Sequence, residues 1–231
     1  MTRRVEPEML DELPASDPRA VRSRHDLRRV NSWMGNIRIM AQVLRSSFAG
    51  RRCQTLVELG AGDGTFLLRV ARRLAPDWPG ASVLLLDRQP IVSSETLRGF
   101  EELGWRAEII TADVLDWLGH SVSRNCDAMI ANLFLHHFVE AQLSGLFAKA
   151  AHSAKAFIAI DPRRWTWSLL GSRLLWMLGC NSVTRHDAVV SVRAGFAGQE
   201  LSRLWPSDRG WRLHERPANL SSHLFMAQWQ P

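Results

Sequence analysis

A glycine-rich turn between an apolar run and a helical stretch is the feature that most restricts the fold of this chain. Residues 57–66 read VELGAGDGTF, with Gly60, Gly62 and Gly64 at alternate positions. Glycine adopts positive φ and lets backbone approach a ligand closely, and the helix that follows offers free N–H groups at its N-terminus. A tight strand–helix connection without a ligand is the alternative. The GxGxG spacing differs from the GxGxxG of dinucleotide-binding proteins.

Short apolar runs alternate with helical stretches on both sides of this turn. The five runs are TLVELG, SVLLLD, AEIITAD, DAMIANL and AFIAID. Such alternation predicts βαβ units and a parallel sheet, and therefore an α/β fold. Near the C-terminus, GWRLHERPAN and SHLFMAQWQ read as two further strands. Because only a short turn joins them, they should form an antiparallel hairpin.

Polar residues stand at the ends of the first four predicted strands. They are Glu58, Asp87, Asp113 and Asn132. In an open α/β sheet, ligands bind beyond the carboxyl ends of the strands. A carboxylate just over 20 residues past the glycine turn, as Asp87 is, can accept both hydroxyls of a ribose. We therefore expect these four side chains to share one ligand-binding crevice.

With these motifs the sequence resembles the class I S-adenosylmethionine-dependent methyltransferases. The matching segments are VELGAGDG, Asp87 after the second strand, TADVLDW and DAMIANLFLHHF, over about residues 50–160. The segments RRVNSWMGN and TRHDAVVSVRAGF resemble small-molecule methyltransferases encoded beside polyketide synthases. The resemblance implies a Rossmann-like sheet of seven mostly parallel strands with an antiparallel last strand. It also implies S-adenosylmethionine as the cofactor.

The resemblance further implies roles for single residues. Glu58 would lie near the amino group of the cofactor and Asp87 would hold its ribose. Asp113 and Val114 would meet the adenine, and Asn132 with Leu133 would close over the methionine side. The complete set of expected cofactor-binding residues is Glu58, Gly60, Ala61, Gly62, Gly64, Asp87, Arg88, Asp113, Val114, Asn132 and Leu133.

Three histidines are candidates for a catalytic base. Methyl transfer from a sulfonium is an in-line displacement that needs alignment and, for some acceptors, removal of a proton. His136 and His137 follow the fourth strand, and His186 adjoins Asp187. The alternative is structural: one histidine of the pair packs under the sheet and the other caps a helix. The sequence shows no metal-ligand spacing, so no metal is expected.

Two segments are expected to build the substrate wall. Residues 1–49 are expected to form an N-terminal helical cap segment. Its first 20 residues are expected to be poorly ordered, and Asp26 is expected to cap its main helix. Residues 50–231 form the cofactor-binding domain, with a cap insertion at 162–196 that serves as a core helix, a lid over an apolar substrate, or an interfacial helix on a membrane. The candidate substrate-binding residues are Trp33, Met34, Asn36, Trp165, Trp167 and Trp176.

The charge and composition of the chain limit the kinds of binding partner that we expect. The net charge is +6, and all 29 basic side chains except Lys149 and Lys155 are arginine. No basic patch is interleaved with aromatics in a nucleic-acid motif, and Asn-Leu-Phe-Leu at 132–135 lacks the Pro-Pro-aromatic signature of base N-methylation, so no nucleic acid is expected. The chain has no signal-like apolar N-terminus and no run of 18 apolar residues, and its three cysteines are sparse, which predicts a cytoplasmic protein. A monomer or a homodimer is expected.

The sequence thus predicts O-methylation of a small hydrophobic phenolic or quinol-type metabolite in secondary or lipid metabolism. N- or C-methylation of a similar metabolite is one alternative. A non-catalytic RNA- or protein-binding module that keeps the fold is the other. Peripheral membrane contact through the insertion also stays open.

Overall fold

A seven-stranded sheet forms the centre of the molecule. The computed structural model describes residues 1–14, 16–48, 50–120, 126–173, 179–207 and 210–230. The strands are β1 Thr55–Leu59, β2 Ser82–Asp87, β3 Arg106–Thr111, β4 Cys126–Asn132, β5 Ala154–Pro162, β6 Trp211–Pro217 and β7 Ser222–Trp229. Their order is β3-β2-β1-β4-β5-β7-β6. Strands β1 to β5 pair in parallel, and β7 runs antiparallel to both β5 and β6. The predicted fold class and the antiparallel hairpin are confirmed.

Helices cover both faces of the sheet. They are α1 Met9–Glu12, α2 Pro18–Met34, α3 Asn36–Phe48, α4 Thr65–Leu74, α5 Ser94–Glu102, α6 Val114–His120, α7 Glu140–Ser153, α8 Thr166–Arg173, α9 Ser182–Ala194 and α10 Glu200–Leu204, with a 3₁₀ turn at Leu135–His137. Alternation along β1 directs Leu56 to the core under α3, α4 and α5, and Val57 and Leu59 to the core under α6 and α7. Burial of both faces is why the central strands read as continuous apolar runs.

Two helices, α2 and α3, make up the N-terminal helical segment. Gly35 ends α2 in the left-handed region with φ 70°, which glycine adopts without strain, and α3 starts at the next residue. Asp17, not Asp26, caps α2, since its side chain accepts the backbone N–H of Arg19. Asp26 is buried inside the helix and accepts the N–H of Asn181. The prediction that Asp26 begins the helix was wrong. The group that Asp26 binds, the backbone N–H of Asn181, lies 155 residues further along the chain and is not visible in the local sequence.

Residues 1–14, which we call the N-terminal strap, lie across the ends of the strands. Arg3 Nη2 donates to the carbonyl of Phe138 over 2.7 Å, and both carboxylate oxygens of Asp187 accept backbone N–H groups of α1, from Met9 and Leu10. The expected disorder of this segment was therefore wrong. Local sequence carried no sign of these contacts because their partners lie more than 130 residues further along the chain.

Within the described residues of the cap insertion, the helices α8 and α9 pack on each other. Trp176 lies outside the described residues. Trp167 on α8 is 64% exposed, whereas α9 buries Val183, Val190 and Val192. None of the helices in the described ranges is both long enough and apolar enough to cross a membrane.

Candidate active site

A cavity of about 1290 Å³ opens at the carboxyl ends of β1 to β4. The glycine turn and the four polar strand-end residues line one part of it, and the N-terminal strap, α2 and the cap insertion line much of the rest. Of the eleven expected cofactor-binding residues, ten border the cavity: Glu58, Gly60, Ala61, Gly62, Asp87, Arg88, Asp113, Val114, Asn132 and Leu133. Gly64 does not border it; this residue is the N-cap of α4.

The glycine turn depends on the absence of side chains. Gly60 has φ 68°, and a Cβ there would lie 2.1 Å from Phe134 Cδ2, so no other residue fits without displacing the phenyl ring. The Gly62 N–H donates to Asp87 Oδ2 over 2.8 Å, and the Gln89 N–H donates to Oδ1 over 2.8 Å. Asp87 therefore fixes the turn. Each of its carboxylate oxygens keeps further acceptor capacity toward the cavity.

Glu58 is a buried carboxyl group beside that turn. It is 2% exposed, and its Oε2 has no hydrogen-bond partner within the described part of the chain. Burial, followed by the negative charges of Asp63 and Asp87, raises the pKa of Glu58 well above its ordinary value. A buried acceptor of this kind suits a cationic ligand group, which would restore its charged form.

Asp113 and Arg88 hold neighbouring segments in place. Asp113 Oδ1 accepts the N–H of Leu115 over 2.8 Å and so caps α6, whose first residue Val114 is buried. Arg88 Nη2 lies 3.2 Å from Asp11 Oδ1 and thereby ties β2 to the strap. Both residues border the cavity while making these contacts.

Asn132 stands at the end of a buried amide network. Asn36 Nδ2 donates to Asn132 Oδ1 over 3.0 Å, and Ser222 Oγ donates to Asn36 Oδ1 over 2.7 Å. Asn36 is fully buried and does not border the cavity, so its predicted contact with substrate is corrected to positioning Asn132. Leu133 follows with φ 52°, a backbone strain that is typical of functional sites.

His136 is held between two carboxylates. Its Nδ1 lies 2.8 Å from Asp161 Oδ1 and its Nε2 lies 3.2 Å from Glu8 Oε1. Burial lowers the pKa of the imidazole, but hydrogen bonds with Asp161 and Glu8 outweigh burial and raise the pKa to about 9. Because Nδ1 is held by Asp161 and Nε2 faces Glu8, the structure does not support His136 as a base that takes a proton from a substrate.

His137 presents one ring nitrogen to the cavity side. Its Nδ1 donates to the carbonyl of Phe134 over 2.9 Å, and its Nε2 lies 3.5 Å from Glu8 Oε2 and 3.7 Å from Asp11 Oδ2. Burial raises the pKa of Glu8, but the neighbouring imidazoles of His136 and His137 outweigh burial and hold that pKa well below its usual range. Sequence reasoning missed Glu8 and Asp11, since no motif links the strap to the strand ends.

Some of the remaining predicted site residues border the cavity, and others lie outside it. Trp33, Met34 and Trp167 border the cavity, as expected. Trp165 does not border it and instead stacks on the Arg163 guanidinium at 4.3 Å. His186 is also outside the cavity: it is exposed and its Nδ1 lies 3.0 Å from Asp187 Oδ1. The structure therefore does not support His186 as a base or Trp165 as a substrate contact.

No protein-family model and no curated protein matches the sequence. Among solved structures, an O-methyltransferase family protein from Burkholderia thailandensis superposes with a TM-score of 0.64 at 22% identity, over 94% of this chain and 61% of its own. An O-methyltransferase from Nostoc punctiforme gives 0.60 at 14% identity, over 98% and 64%. Human N-acetylserotonin methyltransferase in complex with S-adenosylmethionine gives 0.57 at 15% identity, over 97% and 63%.

This chain therefore spans about six-tenths of the length of those three proteins. Its fold is that of the class I methyltransferases.

Proposed function

We propose that this chain binds S-adenosylmethionine and transfers its methyl group to an oxygen of a small hydrophobic molecule of the phenolic or quinol type. One observation carries the proposal. Four strand ends deliver Glu58, Asp87, Asp113 and Asn132 to a single cavity beside a glycine turn that admits no side chain at Gly60.

The polar part of the cavity fits the cofactor group by group. The unpaired Glu58 Oε2 suits the ammonium of the methionine portion, and the open acceptor positions of Asp87 suit ribose hydroxyls. Buried Val114 offers an apolar surface to the adenine. When bound, the cofactor supplies an electrophilic methyl group, and the residues named here align it. The human neighbour solved with S-adenosylmethionine supports this assignment.

The other part of the cavity suits a flat apolar acceptor. Its wall combines apolar side chains of the strap, α2 and the cap insertion, together with one from the C-terminal hairpin, namely Val5, Leu10, Leu27, Val30, Trp33, Met34, Trp167, Val192 and Leu220. Aromatic and aliphatic walls of this kind exclude water and hold ring systems. One polar patch on this side of the cavity is formed by His137, Glu8 and Asp11, where an acceptor hydroxyl would lose its proton.

Calorimetric titration tests the cofactor assignment. We expect S-adenosylmethionine to bind with micromolar affinity, and Asp87→Ala to weaken binding about 10- to 100-fold, because hydrogen bonds to a charged group contribute about 1.5–3 kcal/mol. Asp77→Ala is the matched control, since that carboxylate pairs with Arg45 away from the cavity. Absence of binding by the unaltered protein would overturn the proposal.

Incubation with labelled cofactor and a panel of hydrophobic phenols and quinols tests the acceptor. We expect labelled ethers, identified by mass and by stability to acid. Products methylated on nitrogen or carbon would contradict the choice of oxygen while leaving methyl transfer intact.

A further inference from the structure

A glutamate and two histidines from distant parts of the chain converge on one point at the cavity. We propose that Glu8, His136 and His137 form a binding site for a divalent transition-metal ion of the zinc type. One ligand atom from each residue lies within 4.8 Å of the other two. Carboxylate oxygen and imidazole nitrogen are the ligands that such ions take in three-ligand catalytic sites.

Both imidazoles are oriented as metal ligands are. His136 Nδ1 faces the buried carboxylate of Asp161 at 2.8 Å, and His137 Nδ1 donates to the Phe134 carbonyl at 2.9 Å. In metal sites, the nitrogen that does not bind the ion is held in this way by a carboxylate or a backbone carbonyl. The arrangement fixes each ring and turns both Nε2 atoms toward Glu8.

The distances from the Glu8 carboxylate to the two imidazoles are close to those between ligands in tetrahedral coordination. Ligands bound to zinc at about 2.0–2.1 Å lie about 3.4 Å apart in a tetrahedron. His136 Nε2 lies 3.2 Å from Glu8 Oε1, and His137 Nε2 lies 3.5 Å from Glu8 Oε2. Small side-chain rotations would bring these atoms around one ion.

An ion pair between Glu8 and His136 explains only part of this geometry. It leaves His137 Nε2 at 3.5 Å and 3.7 Å from two carboxylate oxygens, too far for a good hydrogen bond to either one. A shared ion would account for the orientation of both rings. Asp11 is already paired with Arg88, so three protein ligands leave one coordination position open toward the cavity.

The open position gives the site a use that rests on the proposed function. An acceptor hydroxyl bound there would be held at the cavity wall, and the ion would lower the pKa of that hydroxyl as it does for bound water. Because Glu8 belongs to the N-terminal strap, the ion would also fasten the strap to the 3₁₀ turn. The sequence predicted no metal because the ligands are separated by 128 residues.

Metal binding is measured without any methyl donor, so its outcome is independent of the proposed activity. The full chain, stripped with a chelator, is dialysed against Zn²⁺ and analysed for metal, and Co²⁺ is used as a spectroscopic probe. We expect one ion per chain and a tetrahedral Co²⁺ absorption spectrum. His137→Ala and Glu8→Gln should lose the site, and Asp161→Asn should weaken it about 10- to 100-fold.

His186→Ala is the control, since this exposed histidine lies outside the cavity and should leave metal uptake unchanged. If Glu8→Gln fails to fold, His137→Ala decides, because that side chain is already one-quarter exposed. The absence of stoichiometric uptake, or uptake that persists in folded His137→Ala, would overturn the proposal.

Discussion

Single residues at the strand ends combine local strain and burial in ways that suit a ligand better than they suit stability. Leu133 has positive φ without being glycine, and Glu58 is an acid buried beside two other acids. Burying a carboxyl group without a partner costs stability, so such groups are rare unless they bind something. These positions are the places where the chain departs from optimal folding.

Because Glu58 is a buried acid, its replacement by glutamine should raise the stability of the folded protein by an amount that depends on pH. Because the folded pKa is raised, the folded protein holds the Glu58 proton while the unfolded chain releases it above its ordinary pKa of 4.5. Stability therefore falls as pH rises from that value toward the folded pKa. Glu58→Gln should have a higher Tm than the unaltered protein at pH 7 and an equal Tm at pH 4, in thermal unfolding followed by circular dichroism.

Glu108→Gln is the control, since Glu108 is exposed on β3 and should show no such pH-dependent difference. An equal Tm for Glu58→Gln and the unaltered protein at both pH values would contradict the argument.

The N-terminal strap is an element whose contacts lie far along the chain. It has no hydrophobic periodicity of its own, and its single helical turn, α1, buries no side chain. Its position depends on Arg3, on the Glu8 contacts with the two histidines, and on Asp187, which accepts two backbone N–H groups of α1. An element held by side-chain hydrogen bonds and ion pairs, with little apolar burial, opens locally at low free energy.

Replacement of Asp187 should therefore release the N-terminal strap before the rest of the molecule unfolds. Each lost hydrogen bond to a charged group contributes about 1.5–3 kcal/mol. In Asp187→Ala we expect amide exchange at Met9 and Leu10 to accelerate at least tenfold, while exchange in β1 and β4 stays unchanged. His186→Ala, which keeps the carboxylate, is the matched variant. Equal exchange in Asp187→Ala and His186→Ala would show that the cap does not hold the strap.

At the scale of the whole molecule, the C-terminal hairpin of β6 and β7 is an integral part of the central sheet. Strand β7 lies between β5 and β6, and its Phe225 is fully buried against Phe147, Phe157 and Trp205, with ring centroids 5.4–6.2 Å apart. The core under α7 therefore joins residues from the middle and the end of the chain. Loss of packing there should destabilise the sheet as one unit.

Phe225→Ala should lower the free energy of unfolding by about 3–5 kcal/mol, as truncation of a buried phenylalanine does. For a chain of this length that corresponds to a Tm lower by about 6–20 °C in a single transition. Trp229→Ala, at the 42% exposed end of the same strand, should have a much smaller effect. An equal effect of the two variants in differential scanning calorimetry would contradict a hairpin that shares the central core.

The sequence by itself determined the sheet and the glycine turn. Apolar runs, Gly60 and Gly62 act through local backbone geometry and two-sided burial, which are visible in consecutive residues. For the same reason, the positions of the polar residues relative to these runs are enough to assign them to one crevice at the strand ends.

Only the tertiary structure decided which side chains complete the site. It brought Glu8 to His136 across 128 residues, removed His186 and Trp165 from the cavity, and turned Asn36 from a wall residue into a support for Asn132. Contacts of this kind depend on how the strap and the cap insertion pack against the strand ends. No periodicity or spacing within a segment encodes that packing, because its energy comes from burial and hydrogen bonds between segments that are distant in the chain.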